Sequence, residues 1–121
     1  MTLALTATAV AWLNIAVGLR LAILRTKRRR VPPLWLKVHP AAAGVVLVCA
    51  WWAAATWAGP TDLLFNAGAF VLTLVFVIGG LLYLLGRAEA PPLVLIYAVH
   101  GLAALGGTVL LTVGVVRMVT G

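Results

Sequence analysis

The stretch "RTKRRRVPPLWLK", residues 25–37, is a dense basic run broken by a double proline. What lies on either side of it decides the fold. Residues 1–19 carry no charged side chain, and the apolar character continues through Leu24. Downstream, residues 38–58 hold only His39 and Cys49 among titrating groups. A basic segment between two such runs is the loop of a membrane hairpin, because roughly 20 apolar residues in a helix cross about 30 Å of hydrocarbon. Two further runs follow, 63–86 and 90–116, the last interrupted only by His100.

Composition leaves no soluble alternative. The 121 residues are 64% hydrophobic and 9% charged, against about 25% charged in soluble domains. A small soluble fold keeps much of its surface in water and could not hide this much apolar area. Barrel strands would alternate over about 10 residues, and no alternation is present. Backbone groups in lipid must be satisfied within the segment, so each run reads as an α-helix. The fold class is therefore an all-α membrane protein, a single transmembrane domain over residues 1–121. It has four transmembrane helices, at about 2–24, 34–58, 62–86 and 91–117.

The punctuation agrees with these spans. Pro32-Pro33 and Pro91-Pro92 start helices 2 and 4, since proline suits the first turn, where its missing N–H is not needed. Gly59-Pro60-Thr61-Asp62 is a turn that offers Thr61 or Asp62 as the cap of helix 3. Gly86 stands where a helix C-terminus favours glycine. With connections this short, consecutive helices are antiparallel neighbours.

Six basic residues, Arg25, Lys27, Arg28, Arg29, Arg30 and Lys37, fall in the first loop, and Arg87 falls in the third. The Gly59–Asp62 turn has none, and the C-terminus has only Arg117. The positive-inside rule places the first and third loops in the cytoplasm and both termini on the non-cytoplasmic side. The implied setting is a multi-pass protein of a membrane that borders the cytoplasm. The N-terminus has no basic region before its apolar run, so it reads as a retained anchor and not as a cleaved signal. A basic run can bind nucleic acid, but one held between two spans sets topology instead and can bind anionic lipid headgroups. Nucleic acid is thus excluded as a partner and membrane lipids are expected. Cys49, alone in helix 2, reads as a buried structural thiol.

Both histidines stand in matching contexts, "VPPLWLKVHPAAAGVVLV" (residues 31–48) and "APPLVLIYAVHGLAALGG" (residues 90–107). Arg25 precedes His39 by 14 positions and Arg87 precedes His100 by 13. Each half reads apolar helix, arginine, Pro-Pro-Leu, histidine, then small residues. This suggests a duplicated hairpin, with halves 1–60 and 61–121 in the same orientation. At 1.5 Å rise per residue the imidazoles lie roughly 9 and 12 Å into helices 2 and 4, at nearly one depth. The small residues beyond each would allow close approach of a helix or a flat ligand.

Level histidines on two helices can supply both axial nitrogens of one haem iron. They can equally hydrogen-bond a carbonyl or a headgroup near the interface, ligate the magnesium of a chlorophyll-type pigment, or relay protons. An ionisable group in a span is a functional candidate by default. Two histidines without a third side-chain ligand fall short of a zinc site.

On "PPLWLKVHPAAAG" and "PPLVLIYAVHGLAALGG" the chain resembles the small four-helix b-type cytochromes and cytochrome-like membrane anchors of bacterial inner membranes. That resemblance implies a bacterial inner membrane as the setting, bis-histidine haem b, electron transfer and exchange with a quinone. It would make His39 and His100 the haem ligands and Lys37, Arg20 or Arg87 partners of the propionates. Members that carry electrons across the bilayer hold two haems on four histidines, so the resemblance extends here to one haem.

The residues offer no enzyme. No Ser-His-Asp set, Cys-His pair or phosphate loop is present. The acids Asp62 and Glu89 lie in loops, which removes the membrane carboxylate that a small multidrug transporter needs. A cofactor-free accessory subunit packing on a larger respiratory or photosynthetic complex explains the sequence as economically. Ala50-x-x-x-Ala54 and Ala103-x-x-x-Gly107 would serve such packing. Trp35 and Trp57 mark the two ends of helix 2. Asn14 and Asn66 are expected to hydrogen-bond across helices.

Overall fold

A computed structural model describes residues 1–27, 29–57, 62–85 and 94–120. Four α-helices run through them: α1, Thr2–Thr26; α2, Pro33–Thr56; α3, Leu63–Leu85; and α4, Val94–Thr120. All four are long and apolar enough to cross a membrane. The expected spans are met with shifted ends. Helix 1 runs two residues further, helix 2 stops at Thr56 with Trp57 as its cap, and helix 4 continues to Thr120. Pro33 opens α2 with Pro32 as its N-cap. The Pro91-Pro92 start, the Gly86 terminus, Arg87 and the Gly59–Thr61 part of the turn lie outside the described residues.

Asp62 caps α3 as its position suggests. Its Oδ1 accepts the N–H of Leu64 at 2.8 Å, satisfying one of the orphan donors of a helix start. Its other oxygen meets Arg117 Nε at 3.2 Å, which ties the start of α3 to the end of α4.

The helices form a ring. α1 packs on α2 and α3 on α4, while α1–α4 and α2–α3 contacts close the bundle. α2 and α4, which carry the histidines, therefore stand diagonally. The buried core is Ala4, Ala7 and Ala11 of α1, Val46, Ala50 and Ala53 of α2, Phe65, Ala69 and Leu72 of α3, and Leu111 and Val115 of α4. Alanine dominates because lipid tails are as apolar as any side chain, so helices gain by close contact instead of by escaping water. The closest contact is in the second hairpin. A Cβ on Gly68 would strike the backbone of Leu111, and one on Gly114 would strike the backbone of Phe65.

Positions 61 apart in the chain play the same part in the two hairpins. Ala4 and Phe65, Ala11 and Leu72, Ala50 and Leu111, and Leu21 and Leu82 are all buried. The seams between hairpins repeat in the same way. Trp12 Nε1 of α1 donates to Thr112 Oγ1 of α4 at 3.1 Å, and Trp51 Nε1 of α2 donates to Thr73 Oγ1 of α3 at 3.1 Å. Trp12 matches Thr73 and Trp51 matches Thr112 at that separation, so donor and acceptor have simply changed places. Trp51, 43% exposed, thus lies along the α2–α3 seam while Trp52, 61% exposed, faces outward. Cys49, half-buried and free, packs at the edge of the core.

Nearly all of this core lies in the half of the bundle away from the basic loop. Among the described residues of the other half only Leu21, Val75 and Leu82 are buried. At that end one polar clasp joins α1 to α4: Arg25 Nη1 donates to Tyr97 Oη at 2.8 Å, with the guanidinium 5.9 Å from the ring centre.

Candidate histidine site

The looser half contains both histidines. His39 lies near the start of α2 and is followed by Pro40, which withholds the N–H that would bond the carbonyl of Leu36. His100 lies six residues past Val94, the first described residue of α4, just as His39 lies six past Pro33. Both rings are half-buried.

Each ring sits on a glycine of the preceding helix. A Cβ added to Gly18 of α1 would come within 2.8 Å of His39 Cε1, and one added to Gly79 of α3 within 2.9 Å of His100 Cε1. Gly18 and Gly79 are 61 positions apart, as are His39 and His100. The same seat is built twice, on opposite sides of the bundle.

Here the equivalence ends. Asn14 Oδ1 lies 2.8 Å from His39 Nδ1. Because a side-chain carbonyl can only accept, this contact places the proton on Nδ1 and leaves the lone pair on Nε2. Val75 occupies the matching position in α3, and His100 Nδ1 is buried with no partner. An unpaired polar atom away from water is costly. One histidine is therefore held in a fixed tautomer, and the other carries an unmet bonding capacity.

Of the residues singled out in the sequence, His39 and His100 lie in the same half of the bundle, each against its own glycine. Arg20 and Lys37 do not join them. Each is two residues, about 200° of helix, from Gly18 and His39 respectively, and both are exposed on the outer faces of α1 and α2. Arg87 lies outside the described residues. The expected close approach is made by one small residue after the histidines: Gly107, whose carbonyl would meet a Cβ on Gly68 at 2.8 Å and at which an added Cβ would press on Leu72 and Val71, while Gly44, Gly101 and Gly106 have open space where a Cβ would be. The glycines that matter are Gly18 and Gly79, each 21 positions before its histidine. That shared interval was the available signal. Asn14 makes the expected hydrogen bond across helices, and what the sequence left unassigned is its partner, His39.

No protein-family model, curated protein or solved structure matches the chain.

Proposed function

We propose that the chain is a small non-catalytic subunit of a bioenergetic membrane complex that binds one haem b between His39 and His100. The single observation that carries this reading is the twice-built histidine seat on diagonal helices, with His100 Nδ1 buried and unbonded. Asn14 holds His39 with Nε2 free, the usual arrangement of a metal-ligating histidine whose other nitrogen donates to an oxygen; His100 offers a ring whose Nδ1 has no such oxygen partner. When bound, haem supplies one-electron chemistry; the chain's own part is to orient two imidazoles and exclude water. Arg20 and Lys37, turned to the outer faces, are not used as propionate partners here.

Orientation follows from the basic loop. The first loop faces the cytoplasm of a bacterial cell, the termini face the opposite side, and the histidine half is the cytoplasmic half. A quinone of the bilayer is a suitable redox partner for a site at this depth.

A reduced-minus-oxidised spectrum of the full chain, purified from membranes of cells supplied with haem precursor, tests the proposal. A b-type signal is expected in the wild type, absent in His100→Ala and absent or high-spin in His39→Ala. Absence of any chromophore, or an unchanged spectrum in both variants, would refute it.

One observation favours a second reading, a cofactor-free packing subunit: the Asn14 bond already satisfies one nitrogen of His39. The same spectrum separates the two.

A further inference from the structure

The two hairpins are alike in plan and unlike where they meet. Three side-chain hydrogen bonds that cross between them have the donor in α1–α2 and the acceptor in α3–α4. Trp12 Nε1 donates to Thr112 Oγ1 and Trp51 Nε1 to Thr73 Oγ1, each at 3.1 Å, and Arg25 Nη1 donates to Tyr97 Oη at 2.8 Å. Indole and guanidinium N–H groups can only donate. A threonine hydroxyl can do both, but here its one proton is already engaged. Thr112 Oγ1 donates to the carbonyl of Thr108 at 2.7 Å, and Thr73 Oγ1 to that of Ala69 at 2.9 Å. Each threonine therefore meets its indole purely as an acceptor.

Volume divides in the same way. Ala4, Ala11 and Ala50 of the first hairpin match Phe65, Leu72 and Leu111 of the second, and all six are buried in one core. A repeated hairpin could also pair with a copy of itself, and that alternative fails on both counts. Two copies of the first hairpin would leave the centre filled by alanine, and two of the second would double Phe65, Leu72 and Leu111. Either departs from the close packing on which association in lipid depends. At the seams, indole against indole gives two donors and no acceptor. Hydroxyl against hydroxyl bonds only if one threonine releases the carbonyl of its own helix. Arg25 would meet Leu36 in place of Tyr97. Hydrocarbon holds no water to make good these losses.

We infer that the facing sides of the two hairpins are mutually specific interaction surfaces: the donor side of α1–α2 takes the acceptor side of α3–α4 and discriminates against a second copy of itself. Trp12, Trp51, Thr73 and Thr112 are the residues that set this choice. Because the hairpins are joined, each meets the other at a high effective concentration. The partner of the first hairpin is therefore the second hairpin of the same chain, and one chain closes one bundle. This pairing is independent of what the histidines hold.

Exchange of the seam groups tests this on the full chain, unfolded in mixed micelles by a denaturing detergent and followed by circular dichroism. Trp12→Thr with Trp51→Thr leaves hydroxyls on both sides, and Thr73→Trp with Thr112→Trp leaves indoles on both. Each double variant should lower the folded-to-unfolded ratio at least about twenty-fivefold, at about fivefold for each lost link. All four substitutions together restore one indole and one hydroxyl at each seam, with the donors now on the second hairpin. That variant should return to within about fivefold of the wild type. If a double variant does not fold, one seam decides: Trp12→Thr should cost about fivefold, and adding Thr112→Trp should regain it. Losses that multiply, to about six-hundredfold in the fourfold variant, would overturn the proposal, because each residue would then serve only its own surroundings. The wild-type midpoint should also stay constant over about a tenfold range of chain-to-micelle ratio. A midpoint that rises with chain concentration would make a second copy the partner and overturn the pairing within one chain.

Discussion

Replacing Gly18 with alanine tests how the first histidine is held. The new Cβ would lie 2.8 Å from His39 Cε1, so the ring must retreat by about 0.7 Å to reach the roughly 3.5 Å at which carbon atoms pack. A shift of that size along the bond would stretch the 2.8 Å contact between His39 Nδ1 and Asn14 Oδ1 to about 3.5 Å, where a hydrogen bond is effectively lost. Three effects then compete. Overpacking costs about 1–3 kcal/mol, the lost interhelical bond about 0.6–1.7 kcal/mol, and alanine returns about 0.5–1 kcal/mol through its better helix propensity. Gly79→Ala imposes a similar clash, with 2.9 Å to His100 Cε1, but His100 Nδ1 has no bond to lose. Gly18→Ala should therefore be the more destabilising by about 1 kcal/mol, the worth of one interhelical hydrogen bond. Unfolding in mixed micelles by a denaturing detergent, followed by circular dichroism, measures both. Asn14→Val, which installs the residue found at the matching position 75, should bring the two glycine variants level and show a coupling of about 1 kcal/mol with Gly18→Ala. Equal costs in the wild-type background, or strict additivity with Asn14→Val, would refute the account.

Two further outcomes follow from the packing and the charge pattern. Gly68→Ala and Gly114→Ala each drive a Cβ into the backbone of the facing helix and should cost more than about 3 kcal/mol or prevent folding, at the upper end of overpacking; Gly44→Ala and Gly101→Ala, with open space, should be neutral or stabilising by up to about 1 kcal/mol in the same unfolding assay. If the basic loop faces the cytoplasm, Arg30→Cys in a Cys49→Ala background should resist an impermeant thiol reagent in intact cells and react after permeabilisation; labelling of intact cells would reverse the orientation.

The spans, the double-proline helix start and the Asp62 cap are legible in the sequence because each rests on a short-range rule: apolar length, a missing N–H, a side-chain acceptor at a helix start. The correspondence of His39 with His100 is legible too, since the residues themselves recur. What surrounds them is not. Gly18 and Gly101 look alike in a string of apolar residues, yet one seats an imidazole and the other faces open space. Only the register between helices separates them, and register is set by the sum of many weak contacts. The same holds for Asn14, whose nearest polar neighbour is 25 positions away, and for Trp12 and Thr112, whose pairing closes the ring across nearly the whole chain. The outward position of Arg20 and Lys37 follows from that register as well.

The bundle divides its work along its length. In lipid, helices associate by contact and hydrogen bonding alone, so the half with Ala4, Ala50, Gly68 and Gly114 at its centre supplies most of the cohesion. The indole–threonine bonds of Trp12 and Trp51 add two directional links between the hairpins. In the basic half Arg25 to Tyr97 is such a link, and where that pair would recur the chain has Gly86 and Leu36. The α2–α3 seam therefore does not repeat the pair that ties α1 to α4. This costs the bundle little, because the well-packed half already keeps the helices in register.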